Sequence, residues 1–333
     1  MPAEKTKTLI VLVNYKRPSD TIECVLSLLK QHNLNWDCVV YENGSGDNSY
    51  SSIVNGLLEL QTATVEPTTH KSNFTYTQIN IANRNRVFIV EGSKNLGFAG
   101  GNNAAIRLMQ SISGVDYYNY YWLLNNDTIV SESCLDEFIN YFQSPASDKV
   151  GICGATILYH DNPEIIQCLG GAKYSKVFGL INEIEKNKKY DKDKVNKKID
   201  LDYISGASMF TTQKFISTVG LMEESYFLYF EELDWSIRAA RNNFKLGYVS
   251  SAVIWHKEGS VLGSGQSIKR SALSEFYGLS SKLKFTRKFY PLYLPTIWIF
   301  GLGQLIIRII RNRPQNARSL LRALLFKKRF KDV

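Results

Sequence analysis

The chain has 333 residues, 44% of them hydrophobic, which suits one large or two medium domains with a conventional core. Its formal charge of +9 is uneven: residues 308–333 hold nine Arg or Lys and one Asp, so that tail carries +8 and the other 307 residues about +1, and a leucine-rich tail without interleaved stacking aromatics argues against a nucleic-acid partner. Five cysteines, Cys24, Cys38, Cys134, Cys153 and Cys168, form no CxxC pair and are odd in number, so neither a zinc site nor a disulfide framework is suggested and a reducing compartment fits.

Near the N-terminus the apolar run covers only residues 9–13, and no small-residue cleavage site follows it. We expect neither a signal peptide nor a membrane span there, and a cytoplasmic start. Residues 8–13 are β-branched and continuous, the pattern of a parallel strand buried on both faces, and they exit into Asn14, Tyr15 and Lys16. A helix follows, with Ser19 or Asp20 as its cap and Ile22, Val25, Leu26 and Leu29 on one face. Residues 36–41 form a second strand that runs into Glu42, Asn43 and a turn-rich loop. Strand, helix, strand with polar loops after each strand begins an α/β fold of the doubly wound, Rossmann-like kind, a mostly parallel sheet flanked by helices with ligands beyond the strands' carboxyl ends.

Residues 48–85 are rich in Ser, Thr and Asn; a short helix around Ile53 and Leu57 is expected, and otherwise an elaborated loop. A third strand spans residues 86–90. The next thirteen residues, 91–103, contain four glycines and three asparagines, a loop whose backbone can approach a ligand closely, with a helix expected behind it from Ala104 to Ile112. They match neither a dinucleotide fingerprint nor a P-loop. Residues 117–124 form a fourth strand ending abruptly in Asn125, Asn126, Asp127 and Thr128. A carboxylate at such an exit invites a metal; an Asn-Asp turn joining strand to helix is the alternative. A helix around residues 134–141 and a strand over 150–158 come next. The lysine-rich stretch 173–198 reads as a mobile surface loop, either a solvated face or a lid.

Glu231, Glu232 and Asp234 follow the apolar run 226–230 directly. Three carboxylates in four residues repel one another and raise at least one pKa unless a cation, substrate or proton offsets them. On a helix Glu231 and Asp234 share a face and Glu232 projects elsewhere; an acidic helix start stabilised by the macrodipole is the plain reading. A strand over residues 249–255 ends in His256, which is either a packed histidine or a ligand.

In order, Val13-Asn14-Tyr15, Glu42-Asn43-Gly44-Ser45, Asn95-Leu96-Gly97-Phe98-Ala99-Gly100-Gly101-Asn102, Asn125-Asn126-Asp127, Ser205-Gly206-Ala207, Phe230-Glu231-Glu232-Leu233-Asp234 with Arg238, and Trp255-His256 resemble the family 2 inverting glycosyltransferases. Over residues 8–260 the chain is most similar to their rhamnosyltransferase-like branch, which builds bacterial surface polysaccharides. The resemblance implies a GT-A fold binding a nucleotide-sugar donor through Mg²⁺ or Mn²⁺. It places the family's DxD motif on Asn125 and Asp127, with Asp127 as metal ligand and His256 as a further one. Glu42 stands where the family has an Asp and is expected to reach the base or ribose. Val13, Asn14, Tyr15, Asn43, Asn95, Gly97, Phe98, Asn102, Asn125 and Asn126 fall on donor-binding positions. The catalytic base of the family's Glu-Asp pair falls on Glu232, with Asp234 as the neighbouring candidate. One base with in-line attack gives inversion and needs no second nucleophilic carboxylate. A non-catalytic nucleotide-sugar or glycan-binding subunit of the same fold is the alternative, because Asn125 and Glu232 replace expected residues.

The implied division is a GT-A domain over residues 1–265, with a nucleotide-binding half to about 130 and an acceptor half from 131, and a helical basic extension over 266–333. Residues 292–307 are mostly apolar but short of a membrane span. Residues 317–328 set Ala317, Leu320, Leu321, Leu324 and Leu325 on one face with Arg318, Arg322, Lys327 and Lys328 available to the other, a helix of the kind that lies on anionic lipid. Packing against the core or a homo-oligomer interface is the other reading. Lipid association suits a lipid-linked glycan acceptor and places the expected protein on the inner face of the plasma membrane.

Overall fold

Short β-branched runs form the centre of a twelve-stranded sheet in the computed structural model, which describes residues 6–71, 74–82, 85–257 and 271–326. The first half comprises β1 (Thr8–Asn14), α1 (Pro18–Leu28), β2 (Trp36–Glu42), α2 (Ser49–Leu58), β3 (Ala63–Val65), β4 (Thr69–Lys71), β5 (Phe74–Ile81), β6 (Asn85–Glu91), α3 (Gly97–Ser113) and β7 (Tyr120–Asn125). Then come β8 (Thr128–Val130), α4 (Cys134–Gln143), β9 (Val150–Tyr159), β10 (Ile166–Leu169), β11 (Gly171–Ser175), β12 (Leu180–Glu183), α5 (Lys192–Val195), β13 (Tyr203–Ile204) and β14 (Ser208–Thr212). The chain closes with α6 (Gln213–Val219), α7 (Glu231–Arg241), β15 (Lys245–His256), α8 (Ala272–Phe289), α9 (Leu294–Ile310) and α10 (Pro314–Leu324).

The large sheet runs β3-β5-β6-β2-β1-β7-β14-β9-β15-β8, with β4 beside β5 and β10 beside β9. Its nucleus β6-β2-β1-β7 is parallel, as the continuous apolar runs predict. Antiparallel pairings extend it on both sides, so the whole sheet is mixed. Alternate residues of β1 serve opposite cores: Ile10 and Leu12 pack with α1, α2 and α4, Leu9 and Val11 with α3, α6 and α7. Each fully buried aliphatic side chain contributes about 1.5–3 kcal/mol. Both faces are therefore committed to packing, and only the strand's carboxyl end is left to present polar groups. The five cysteines are free and buried.

Several elements differ from expectation. Pro18 occupies the first turn of α1, and neither Ser19 nor Asp20 caps it; Asp20 instead pairs with Arg17 at 3.2 Å. Proline suits that position because the first amides of a helix need no intrahelical acceptor. The polar stretch 48–85 holds not a loop but α2 and an antiparallel group, β3 and β4 flanking β5, that continues the sheet. Residues 173–198 are likewise folded: β12-β11-β13 make a separate three-stranded sheet, and the lysines pair with the interspersed acids, as in Lys194–Asp191 at 2.7 Å and Lys197–Glu185 at 2.8 Å.

After β15, helices α8, α9 and α10 form a layer whose interior is Phe276, Leu279, Leu283, Ile297, Leu320 and Leu324. The apolar face expected to meet lipid is thus largely used inside the protein: Ala317, Leu320 and Leu324 of α10 are buried, and only Leu321 and Leu325 are exposed. The apolar helix before it reaches further than residues 292–307: Pro291–Ile310, twenty residues, are long and apolar enough to cross a membrane by length and composition. The boundary near residue 265 and Lys327 and Lys328 lie outside the described residues.

Candidate active site

Parallel register sets the polar exits of the central strands side by side. Asn14 lies opposite Glu42 and Val13 opposite Asn125, while Glu42 lies opposite Glu91. The Asn14 side chain is buried and accepts from the Thr21 hydroxyl at 2.9 Å and the Arg17 amide at 3.2 Å. Its Nδ2 has no partner among the described residues, a donor of the sort a ligand oxygen would satisfy. Asn126 donates to Thr21 Oγ1 at 2.8 Å, which ties the turn after β7 to the start of α1. Tyr15 is half-buried beside this edge, with the Lys16 ammonium 5.4 Å from its ring centroid.

Glu42 does not project as expected. Its carboxylate turns back onto its own loop, accepting from the Gly44 amide at 3.2 Å, the Ser45 amide at 2.9 Å and the Ser45 hydroxyl. Asn43 bridges to the next loop: Nδ2 donates to Asn95 Oδ1 at 3.2 Å and to Gly97 O at 3.1 Å, and Oδ1 accepts from the Leu96 amide at 2.9 Å. Residues 97–103 belong to helix α3 and not to a loop. The glycines serve packing instead of ligand approach: Gly97 has φ +75°, and a Cβ there would run into Phe227 O, while one on Gly101 would sit 2.9 Å from Val13 Cγ1. Asn102 spends its amide on Phe98 O at 2.9 Å, inside the helix. Phe98 is half-buried at the helix start, and its amide donates to Phe227 O at 3.1 Å.

The next part of the edge is built by β8 folding against β15. That pairing sets His256 across from Thr128, and the Lys257 amide donates to Asp127 O at 3.0 Å. Asp127 Oδ1 and His256 Nε2 come within 3.1 Å, with Asn125 Nδ2 3.2 Å from the same ring nitrogen. On the far side of the ring, Nδ1 lies 3.0 Å from Gln167 Oε1. An amide oxygen only accepts, so Nδ1 carries a proton, and Nε2 faces the carboxylate, where it either donates a second proton to Asp127 or shares a cation with it. Two electron-rich atoms in contact require a proton or a cation between them. Burial pushes the Asp127 carboxyl up, but the charge and hydrogen bond of His256 outweigh it, so the group stays ionised, below the usual carboxylate range.

A carboxylate oxygen and an oriented imidazole suit a divalent cation such as Mg²⁺ or Mn²⁺, with Gln167 fixing the ring from behind. Among the described residues no cluster of three or more His, Cys, Asp or Glu side chains could hold a metal. Asp127 and His256 are two candidate ligands at this place, and a cation bound there would complete its shell from donor oxygens and water.

From this pair the backbone leads to the acids of α7. The Asn125 amide donates to Ala207 O at 3.0 Å, which brings the 205–207 turn to the same edge. A Cβ on Gly206 would collide with Glu232 Oε1, so the Glu232 carboxyl sits directly against that turn. Tyr229 and Phe230 both take positive φ, 67° and 74°, immediately before α7. Neither residue favours the left-handed region, and the cost persists because the turn aims the helix start.

Packing then gives the three carboxyl groups three different states. Glu231 is 1% exposed, and its Oε2 has no partner among the described residues; burial, with Glu232 beside it, holds it well above the usual range and therefore neutral. Burial raises Glu232 to about 7. Asp234 is fully buried and closed off by Arg238 Nε at 2.8 Å, Lys288 Nζ at 2.5 Å and the Tyr226 hydroxyl at 3.2 Å. As a candidate base Asp234 is corrected: its oxygens tie α7 to α8 and are not turned to the edge.

Asn14, Asn125, Asn126, Asp127 and His256 therefore form one connected group, and Glu232 joins it through residues 206–207. Asn102, Glu42 and Asp234 are occupied elsewhere. Thr21 and Gln167, which orient Asn126 and His256, were missed; each belongs to an ordinary helix or strand, and no local spacing marks it. Glu231 was visible only as one acid in a cluster, since its neutrality comes from burial.

A sequence profile described as glycosyl transferase family 2 matches residues 9–215. No curated protein matches the chain. Among solved structures the chain is similar to the mannosyltransferase PcManGT from Pyrobaculum calidifontis in complex with GDP-Man and Mn²⁺, at 10% identity and a TM-score of 0.51 over 97% of this chain and 87% of that one. It is also similar to GalNAc-T7 with UDP, GalNAc and Mn²⁺, at 11% identity and a TM-score of 0.54 over 86% of this chain and 49% of that one.

Proposed function

Because the chain belongs to glycosyl transferase family 2, we propose that it moves a sugar from a nucleotide-sugar donor to a hydroxyl of a lipid-linked glycan, with inversion, at the cytoplasmic face of the plasma membrane. Its architecture is that of the GT-A glycosyltransferases. The observation that carries the reading is the Asp127–His256 pair, 3.1 Å apart at the sheet's carboxyl edge, linked through Asn125 and residues 206–207 to the raised carboxyl of Glu232.

Asp127 and His256 are the side chains that would hold Mg²⁺ or Mn²⁺, and the ion would supply charge neutralisation for a diphosphate leaving group. Asn14, Asn43, Asn126 and the start of α3 flank the donor edge, where the unpartnered Asn14 amide is available to a phosphate or sugar oxygen. Glu232 accepts the proton of the attacking hydroxyl, a task suited to a group titrating near neutrality. Asp234 is neutralised by two cations and Glu231 by a proton, which leaves one base, the requirement for a single displacement. The motif resemblance favours dTDP-rhamnose as donor in cell-surface polysaccharide synthesis, with UDP-hexoses next.

Thermal stabilisation and hydrolysis across a nucleotide-sugar panel, with Mn²⁺ and with EDTA, test the reading. We expect one donor to raise the melting temperature only with the metal, and Asp127→Ala to erase that rise. Donor turnover by Asp127→Ala in metal-free buffer would overturn it. The non-catalytic reading, which Asn125 and Glu232 keep open, predicts metal-dependent stabilisation with no turnover at any pH.

A further inference from the structure

The outer side of α9 is bare. Trp298, Ile299, Phe300, Ile306, Ile307 and Ile310 are all exposed, Ile299 at 62% and Ile310 at 77%, while the inner side, Ile297 and Gly301, packs on α8 and α10. A second bare element adjoins it from more than a hundred residues earlier. The β11–β12 hairpin exposes Phe178, Leu180 and Ile181. Phe178 meets Phe300 edge-on with ring centroids 5.5 Å apart, and Thr296 Oγ1 donates to Val177 O at 2.9 Å. One continuous apolar surface thus spans two elements, larger than scattered single hydrophobics and of the kind that marks an interaction site.

Charge selects the occupant. From Pro291 to residue 331 the sequence holds no Asp or Glu but nine Arg or Lys. Arg311 and Arg318 are exposed just beyond the apolar helix. Apolar side chains with an aromatic belt residue and adjoining arginines match an anionic lipid surface. Spanning is excluded by α10, which folds back along α9: Trp298 Nε1 donates to Leu324 O at 3.3 Å, and a Cβ on Gly301 would lie 2.9 Å from Leu324 Cδ2. A transbilayer α9 would drag Arg318 and Arg322 into hydrocarbon.

We propose that the joint face of α9 and the β11–β12 hairpin docks in the plane of an anionic bilayer, with α10 acting as the strap that keeps α9 from crossing it. A cavity of about 440 Å³ lies between the same two elements and α8, lined by Glu183, Lys186, Tyr203, Tyr229, Lys282 and Arg308. Tyr203 on its wall stands three residues before Gly206, against which the Glu232 carboxyl sits. Docking sets this polar cavity at the lipid interface, between the bilayer and the proposed base. The proposal rests on the sugar-transfer reading only for this last use, the delivery of a lipid-linked acceptor.

Flotation of the full chain with vesicles of phosphatidylcholine alone, and of phosphatidylcholine with phosphatidylglycerol, is the test. We expect flotation with the anionic vesicles, weakened by added salt. Ile299→Asp and Phe178→Asp should each reduce it about tenfold or more, Ile299→Asp with an unchanged circular-dichroism melt because its side chain faces solvent, and Phe178→Asp with a cooperative melt lowered only by loss of the Phe300 contact. Alkaline carbonate should release the bound protein. Absence of flotation, flotation unaffected by both substitutions, or retention after carbonate would each overturn the proposal, as would a solution dimer that Ile299→Asp dissociates while vesicles are ignored. No nucleotide sugar enters this measurement, so a chain that floats but transfers nothing refutes sugar transfer alone, and one that transfers but does not float refutes docking alone.

Discussion

The sheet edge at Asp127 and the start of α7 both hold carboxyl groups in half-dry surroundings, with opposite results. At the edge, His256 at 3.1 Å outweighs burial and keeps Asp127 ionised. At α7 no cation among the described residues pairs with Glu232, and burial lifts it to about 7. The same residue chemistry is thus ionised in one place and held near neutrality in the other, which is what the proposed roles of cation ligand and proton acceptor call for, and the difference lies in which partner the fold brings within hydrogen-bond distance.

The largest expected effect is at the edge. Asp127→Ala should lower transfer by about 10³-fold or more, the several kcal/mol a metal-assisted step draws on, while the melting temperature stays close to wild type; transfer within tenfold of wild type would break the comparison on its first side. Next, Glu232→Gln should lose about 10²–10⁴-fold in turnover with donor binding retained, the usual worth of a general base. Asp234→Asn sharpens this contrast: it should cost about 3 kcal/mol of stability by leaving Arg238 and Lys288 beside a neutral group, seen as a lower denaturant midpoint. If Asp234→Asn proved stable but inactive, the roles assigned to the two acids would have to be exchanged.

Gln167→Leu should weaken Mn²⁺ affinity by about 10–100-fold without touching the metal, because the imidazole loses the acceptor that fixes its tautomer; calorimetric titration in the presence of donor checks it. The smallest effect is in the pH profile. Glu232 is protonated below its raised pKa and cannot accept a proton there, so turnover should rise as pH passes through about 7. In the Glu232→Asp enzyme, with a shorter arm and a changed burial, the midpoint should move. A flat profile from pH 5 to 9 in wild type would remove Glu232 from the chemistry. The folding consequence has the same origin: a raised carboxyl stabilises the fold below the unfolded pKa and loses that contribution as pH rises past 7.

The parallel nucleus was legible because strands buried on both faces are continuously apolar, as residues 9–13 and 38–41 are, with buried Asp37 offset by Lys7 and Arg86. The outer strands were not. β5 mixes Thr, Gln and Asn with aromatic and aliphatic residues that change sides along the strand, Phe74 and Tyr76 serving one core and Ile79 and Ile81 the other, so no unbroken alternation marks it. The β11–β12 hairpin was hidden for a related reason: it opens a lysine-rich stretch whose charges pair with nearby acids, and its own exposed side is apolar. The start of helix α3 was read seven residues late because glycine is a poor helix former, yet Gly97 and Gly101 are there to let Phe227 and Val13 close in. In the site, Asp127 and His256 announced themselves as abrupt polar exits from apolar strands. The choice between Glu232 and Asp234 could not be read, because helical spacing separates their faces without saying which face meets Arg238 and Lys288.

Gly97 has a further consequence for mutational freedom. Its absent side chain makes room for the Phe227 carbonyl, which also accepts from the Phe98 amide, and Phe227 stands two residues before the left-handed turn that aims Glu231 and Glu232. A methyl group added at Gly97 would therefore be transmitted to the start of α7, which carries Glu232. The start of α3 and the turn before α7 cannot drift independently: their sequences are locked together at a point that carries no chemistry of its own.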